Sequence, residues 1–291
     1  MNVAITGASG FIGRNLAAHL AAEGHTTRPI SARGKIDPSA LAGCHAVVHL
    51  AGEPVAQRWT AAVKQKIRAS RIEGTRAVVE AIAALPQKPA VLVSASAVGY
   101  YGSRGEEIVT ENAAPASDFL GELSAAWESE ARSAEKFGVR VVNPRIGVVL
   151  GLGGGALKAM LPAFRLGAGG RIGSGAQWMS WIHIEDLTGL ILFALSNTGI
   201  KGPVNATAPH PVINADFTRA LARAVHRPAI FPVPGLALKL AMGEMSSMLL
   251  GGQRAIPKAA LDAGFRFRYS ELDSALAALF GSHNTSGTPS V

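Results

Sequence analysis

The chain has 291 residues, 48% apolar and only 16% charged, with 33 glycines and a mean hydropathy of +0.23. This composition buries a large core and excludes a disordered or acidic-tail protein, and no apolar run is long enough to span a membrane. The net charge of +8 is carried by dispersed basic residues, and with 6% aromatics there is no stacking platform, which argues for a phosphate-bearing small ligand and against nucleic acid.

A single cysteine, Cys44, leaves no internal disulfide framework, and the histidines are too scattered for metal-ligand spacing. The N-terminus opens directly on apolar residues without a basic leader, so the expectation is a cytoplasmic protein with no membrane partner. A homodimer is left open.

Val3 to Thr6 reads as a buried strand, and Gly7-Ala8-Ser9-Gly10-Phe11-Ile12-Gly13 follows it at once. Ile12, Leu16 and Leu20 then recur at helical spacing, so a glycine-rich turn joins strand to helix. Gly7 suits the tight turn, Gly10 lets a pyrophosphate approach the main chain, and Gly13 lets helix and strand pack closely. Gly7, Ser9, Gly10, Phe11, Ile12 and Gly13 are therefore the candidate phosphate loop. The second strand, 26–31, ends in Ser31-Ala32-Arg33, with no acid before Asp37. An NAD site wants a carboxylate there, whereas a hydroxyl and a guanidinium suit a 2′-phosphate, so NADP(H) is expected over NAD.

A third strand, 46–50, runs into Ala51-Gly52-Glu53, and Leu50 with these three residues is expected to pass close to the cofactor. A helix is predicted over 58–85, a strand over 90–93, a helix over 120–137 and a strand over 139–142. Strand and helix alternate throughout, which predicts an α/β Rossmann-type fold with a doubly wound parallel sheet. The predicted division is a nucleotide-binding domain over 1–150, rejoined by 182–206, a smaller substrate lobe over 151–281, and a disordered tail over 282–291. Val149, at the end of the nucleotide-binding domain, is a candidate apolar wall of the cofactor site, and in the lobe glycines 151–155 read as a flexible entry to a helix over 156–166. Trp178 and Trp181 either line a substrate site or seal the lobe interface. A strand is predicted over 230–233.

The glycine turn, His49-Leu50-Ala51-Gly52, Ser96 with Tyr101-Gly102, and Trp181 through Leu187 resemble an extended short-chain dehydrogenase/reductase. More narrowly, Gly52-Glu53, Ser70-Arg71, Gly151 to Gly155, Gly243-Glu244-Met245 and Gln253-Arg254 resemble the atypical "epimerase family" proteins, which end in a conserved domain of unknown function. The resemblance covers about residues 1 to 281.

It implies a cofactor site that also includes Ser94 and Arg71, the latter where the superfamily usually carries asparagine. It further implies that Ser96 orients a substrate oxygen, with Tyr100 or Tyr101 as a phenol nearby. The superfamily's Tyr-x-x-x-Lys pair is missing: Leu120 and Ser124 stand in its places, and no tyrosine has lysine four residues on. The expectation is thus an NADP(H)-dependent oxidoreductase or epimerase acting on a small carbonyl or hydroxyl compound. The alternative is a non-catalytic NADP(H)-binding sensor or structural protein.

Overall fold

The computed structural model describes residues 1–281; the tail predicted over 282–291 lies outside the described residues. The chain opens with β1 (Asn2–Thr6), α1 (Phe11–Ala22), β2 (Thr26–Ile30), β3 (Ala46–His49) and α2 (Ala61–Ala84). It continues through β4 (Val91–Ser94), β5 (Ser96–Ala97), β6 (Ile108–Val109), α3 (Phe119–Arg132), β7 (Arg140–Ile146), β8 (Val148–Leu150) and α4 (Gly155–Arg165). Then come β9 (Trp178–Met179), β10 (Trp181–His183), α5 (Ile184–Ser196), β11 (Gly202–Ala206), β12 (Val212–Ile213) and α6 (Asn214–Ala224). The last elements are α7 (Gly235–Met242), α8 (Ser247–Leu250), β13 (Arg254–Ala255), α9 (Lys258–Asp262) and α10 (Leu272–Gly281).

A seven-stranded parallel sheet has the order β11-β7-β4-β3-β1-β2, with β5 also paired to β7. Alternation along the strands decides the layers. Val91 and Val93 pack toward Leu16, Leu187 and Ile191 of α1 and α5, while Leu92 packs toward Val78, Ile82 and Ala131 of α2 and α3. A separate core of Leu157, Phe164, Trp181, Phe217 and Leu276 joins α4, α6 and α10. Among the described residues, no helix is long and apolar enough to cross a membrane.

Two sequence readings are corrected. Helix and strand do not alternate between β2 and β3, where only a short 3₁₀ turn, Pro38–Leu41, intervenes. The chain therefore crosses straight to the other side of β1, and the switch in strand order falls between β1 and β3. The strand predicted over 230–233 does not form; only Val233 makes a bridge, to Ile172, and Ile230 and Phe231 are exposed. That run is apolar, but its pairing with the 171–173 segment is limited to Val233, whose amide donates to the Arg171 carbonyl at 2.8 Å.

Candidate cofactor cleft and its buried polar floor

At the carboxyl end of β1, Gly7 takes a left-handed φ of 72°, and Gly10 N–H donates to the Gly7 carbonyl at 3.0 Å. Gly10 caps α1 without a side-chain oxygen, and the first turn carries no acid, so the helix dipole and leading amides are left uncompensated at this turn. Space enforces the remaining glycine: a Cβ on Gly13 would lie 2.3 Å from the Gly7 oxygen. Phe11 turns away from this loop and is wrapped by the second glycine run. A Cβ on Gly154 would meet the Phe11 Cβ at 2.6 Å, so 151–155 forms a packed seat for α1, where the sequence suggested a flexible entry.

The glycine turn opens into a cavity of about 1250 Å³, lined also by Ser31, Arg33 and Lys35 from the β2 end, by 50–54 from the β3 end, and by α2. Arg33 and Lys35 are exposed. The Ser31 hydroxyl accepts from the Arg33 amide at 3.3 Å, which bends this corner into the cavity mouth. Lys35 was not singled out from the sequence; its place two residues beyond Arg33, on the same acid-free stretch, was the available signal.

The far wall is built by α2. Glu53 N–H donates to Ser70 Oγ at 3.0 Å, while Arg71 Nη1 donates to the Glu53 carbonyl at 3.0 Å and the Ile67 carbonyl at 3.3 Å. Both backbone polar groups of one loop residue, Glu53, are thus held by consecutive residues of one helix. The Arg71 guanidinium would lie 3.4 Å from a Cβ on Gly52 and sits 5.0 Å from the Trp127 ring centroid. Trp127 in turn donates to Thr75 at 2.9 Å. Burial draws the Arg71 guanidinium down to about 10, with Glu53 pulling partly the other way.

Beneath this wall a buried polar row crosses the sheet. Thr6 and His49 share a 2.6 Å hydrogen bond, His49 pairs in register with Ser94, and Asn143 Nδ2 donates to the Ser94 carbonyl at 3.2 Å. All four are fully buried, and His49 Nε2, Ser94 Oγ and Asn143 Oδ1 have no hydrogen-bond partner among the described residues. Burial, then the charge of Arg71, holds His49 down at about 4, so its ring is neutral at physiological pH. Ser94 therefore sits under the cleft wall and does not line the cleft, contrary to the sequence expectation. Val149 is likewise a core residue, 8% exposed and in register with Ile182.

The expected proton-handling side chains have other partners. Ser96 Oγ donates to Glu128 at 2.6 Å, and Glu128 takes both arms of Arg145 at 2.8 Å. Arg145 also donates to the Tyr101 hydroxyl at 2.8 Å, and that hydroxyl donates to Asn205 at 2.6 Å. Tyr101 is fully buried, which pushes its phenol up to about 12, against the lowering pull of Arg145. The Arg145 guanidinium lies 3.5 Å from the Tyr100 ring centroid. Burial opposes the charge on Arg145, but Glu128 and Tyr101 outweigh it and hold the guanidinium ionised. The structure brings Ser96, Tyr100 and Tyr101 together around Arg145, in a satisfied network outside the lining of the glycine-turn cavity; Tyr100, Glu128 and Arg145 line a separate cavity of about 590 Å³. Glu128 and Arg145, the centre of the network, were missed because a buried ion pair is invisible until two distant segments meet.

Where the superfamily's tyrosine would stand, Leu120 lies on Gly99, 3.3 Å from the position of a Cβ there, among Trp59, Phe119, Met242 and Met245. Ser124 is buried one turn on. Trp181 is fully buried with its indole on the His210 carbonyl, while Trp178 stacks under Arg254 at 4.3 Å and donates to Glu106. Gln253 reaches from the C-terminal segment to the Val98 carbonyl at 2.7 Å, and Glu244 pairs with Lys64 at 2.5 Å.

A doubly wound sheet with a glycine-rich turn at its switch point defines a nucleotide-binding protein of the Rossmann class. Residues 3–206 match the NAD dependent epimerase/dehydratase family, and residues 233–279 match a domain of unknown function, DUF1731. The chain belongs to that epimerase/dehydratase family. It is 41% identical to the epimerase family protein YfhF of Bacillus subtilis, covering 98% of this chain and all of that protein. It is 40% identical to the epimerase family protein SDR39U1 of Bos taurus, over 95% of this chain and 98% of that one. Human SDR39U1, solved with NADPH, superposes with a TM-score of 0.89 at 36% identity, covering 97% of this chain and 99% of the human one.

Proposed function

We propose that this chain binds NADP(H) and acts as an oxidoreductase or epimerase on a small carbonyl or hydroxyl compound. The observation that carries the reading is the cavity in which an uncapped helix start, a corner with Ser31, Arg33 and Lys35, and the clamped loop 50–54 face one another. Each element fits a part of the cofactor: amides for the diphosphate, cations and a hydroxyl for the 2′-phosphate, small residues for close passage of the rest. The NADPH bound by the human relative supports the same choice. When bound, the nicotinamide supplies the hydride chemistry, and the residues above hold and orient it.

A second reading has an observation of its own. Ser96 and Tyr101 are both committed to the Arg145 network, and Leu120 and Ser124 offer no acid–base pair. That favours a protein that keeps NADP(H) without turnover.

Calorimetry discriminates the cofactor. NADPH should bind at least tenfold tighter than NADH, and Arg33→Ala should shrink that margin; equal affinities defeat the 2′-phosphate assignment. Oxidation of bound NADPH across a carbonyl library, followed at the nicotinamide absorbance, separates the two readings. Steady turnover with any member supports the enzyme, and none across the library supports the holder.

A further inference from the structure

Arg71 sets a largely buried positive charge behind the loop that follows β3. Among the described residues no carboxylate lies within ion-pair distance of it, and Glu53 offsets its charge only from farther off; its hydrogen bonds go to two neutral carbonyls, and its face is stacked on Trp127. The phosphate-reading groups, Gly7 to Gly10 and Ser31 to Lys35, lie at the β1 and β2 side of the cleft. Arg71 lies on the other side of the switch point, behind Gly52 and against α3. A dinucleotide held by its diphosphate on the glycine turn, with its adenosine toward β2, directs its nicotinamide end to this second side. A partly buried cation there acts through protein rather than through water, so its field is weakly screened. His49, which lies under it, already feels that field as a bias against a positive ring.

Resting on the NADP(H) assignment, we propose that Arg71 selects the redox state of the cofactor: its fixed charge opposes the cationic nicotinamide ring of NADP⁺ and tolerates the neutral ring of NADPH. The two forms differ by one positive charge on that ring and share every phosphate. A residue that only clamps loop 50–54, or only neutralises the diphosphate, would affect both forms alike. Arg71 is thus a selector of cofactor state, and the chain is built to hold reduced cofactor.

The test is a pair of equilibrium titrations, NADPH and NADP⁺ separately, on wild type, Arg71→Gln and Arg71→Lys, with circular dichroism as the folding control. Wild type should bind NADPH about tenfold or more tighter than NADP⁺, as two like charges interacting through protein would produce. Arg71→Gln should bring the ratio to within about twofold, mainly by tightening NADP⁺ relative to NADPH, and Arg71→Lys should retain the preference. Arg33→Ala, at the opposite end, should weaken both forms and leave the ratio in place. A wild-type ratio near one overturns the proposal without recourse to any variant, as does an Arg71→Gln protein that weakens both forms equally; the cofactor assignment survives either result. Wild type that binds neither form removes the assignment itself.

Discussion

His49 concentrates the chemistry of the buried row into one titration. Its ring is held at about 4 against an ordinary 6.5, by burial first and the Arg71 charge second. The unfolded chain therefore takes up a proton at a pH where the folded chain does not. Stability contributed this way is complete above about pH 6.5 and is lost as the pH falls toward 4, by up to roughly 3 kcal/mol. Burial shifts His183 in the same direction. Denaturant titrations at pH 7.5 and 5.5 should show a lower midpoint at the acid end, with a shallower pH slope in His49→Asn. A midpoint that does not move between those pH values would contradict a buried neutral ring. The three unpartnered polar atoms of the same row, on His49, Ser94 and Asn143, lie on three neighbouring strands of the sheet. Buried polar groups are almost always hydrogen-bonded, so a high-resolution crystal structure should show ordered water joining them.

Arg145 and Glu128 are the costly pair of the molecule, with side chains 2% and 9% exposed and paired through both guanidinium arms. Arg145→Met should destabilise the fold by about 3–5 kcal/mol, because it leaves Glu128 buried without a counter-charge. Adding Glu128→Leu should recover much of that loss, a non-additivity that a double-mutant cycle measures directly. Nothing in the sequence near Ser96, Tyr101 or Arg145 announces this pairing. The residue types were legible as chemistry-bearing, and their actual partners were not.

At the scale of elements, the strand–turn–helix at the N-terminus follows from local rules alone. β-branched residues build β1, glycines make the turn, and a four-residue apolar repeat makes α1. Two substitutions separate its two duties. Gly10→Val meets little beyond the Gly7 oxygen, 3.2 Å from its Cβ, so the fold should stand while NADPH affinity is lost. Gly13→Ala drives a methyl to within 2.3 Å of the Gly7 oxygen and 2.7 Å of the Ala8 Cα, so it should cost about 1–3 kcal/mol as well as binding. Thermal melts with and without NADPH distinguish the two. Helix boundaries followed their caps: α2 starts after Thr60, whose hydroxyl accepts from Val63, and α3 after Asp118, whose carboxylate accepts from Gly121. The run 230–233 forms no strand because an apolar β-type pattern needs a partner along its length, and its neighbour 171–173 pairs only at Val233.

For the whole molecule, the C-terminal segment matched by the domain of unknown function is woven into the nucleotide-binding half. β13 pairs with β6, the Ser180 and Thr207 hydroxyls bond the Ala255 carbonyl, and Asn205 Nδ2 donates to the Ile256 carbonyl at 2.9 Å. Glu111 ties β11 to α9 by accepting from the amides of Asn205 and Ala259. Asp186 holds the amides of Arg268 and Tyr269 in the same way. Removing residues 233–281 should therefore leave no folded remnant with native cofactor affinity. Expression of 1–232 with a dye that reports exposed apolar surface is the check, and a soluble, NADPH-binding fragment would show the halves to be independent.

Sequence alone determined the class of fold, the glycine-rich turn after β1 and the absence of both an acid just after β2 and a Tyr-x-x-x-Lys pair, because each is written in contiguous residues whose spacing carries the physics. Tertiary structure alone decided that Ser96 and Tyr101 serve Arg145, that Ser94 and His49 lie under the cleft wall, and that Arg71 stands behind Gly52. Those facts depend on which distant segments meet and on how much water their meeting excludes, and neither quantity has a local spelling.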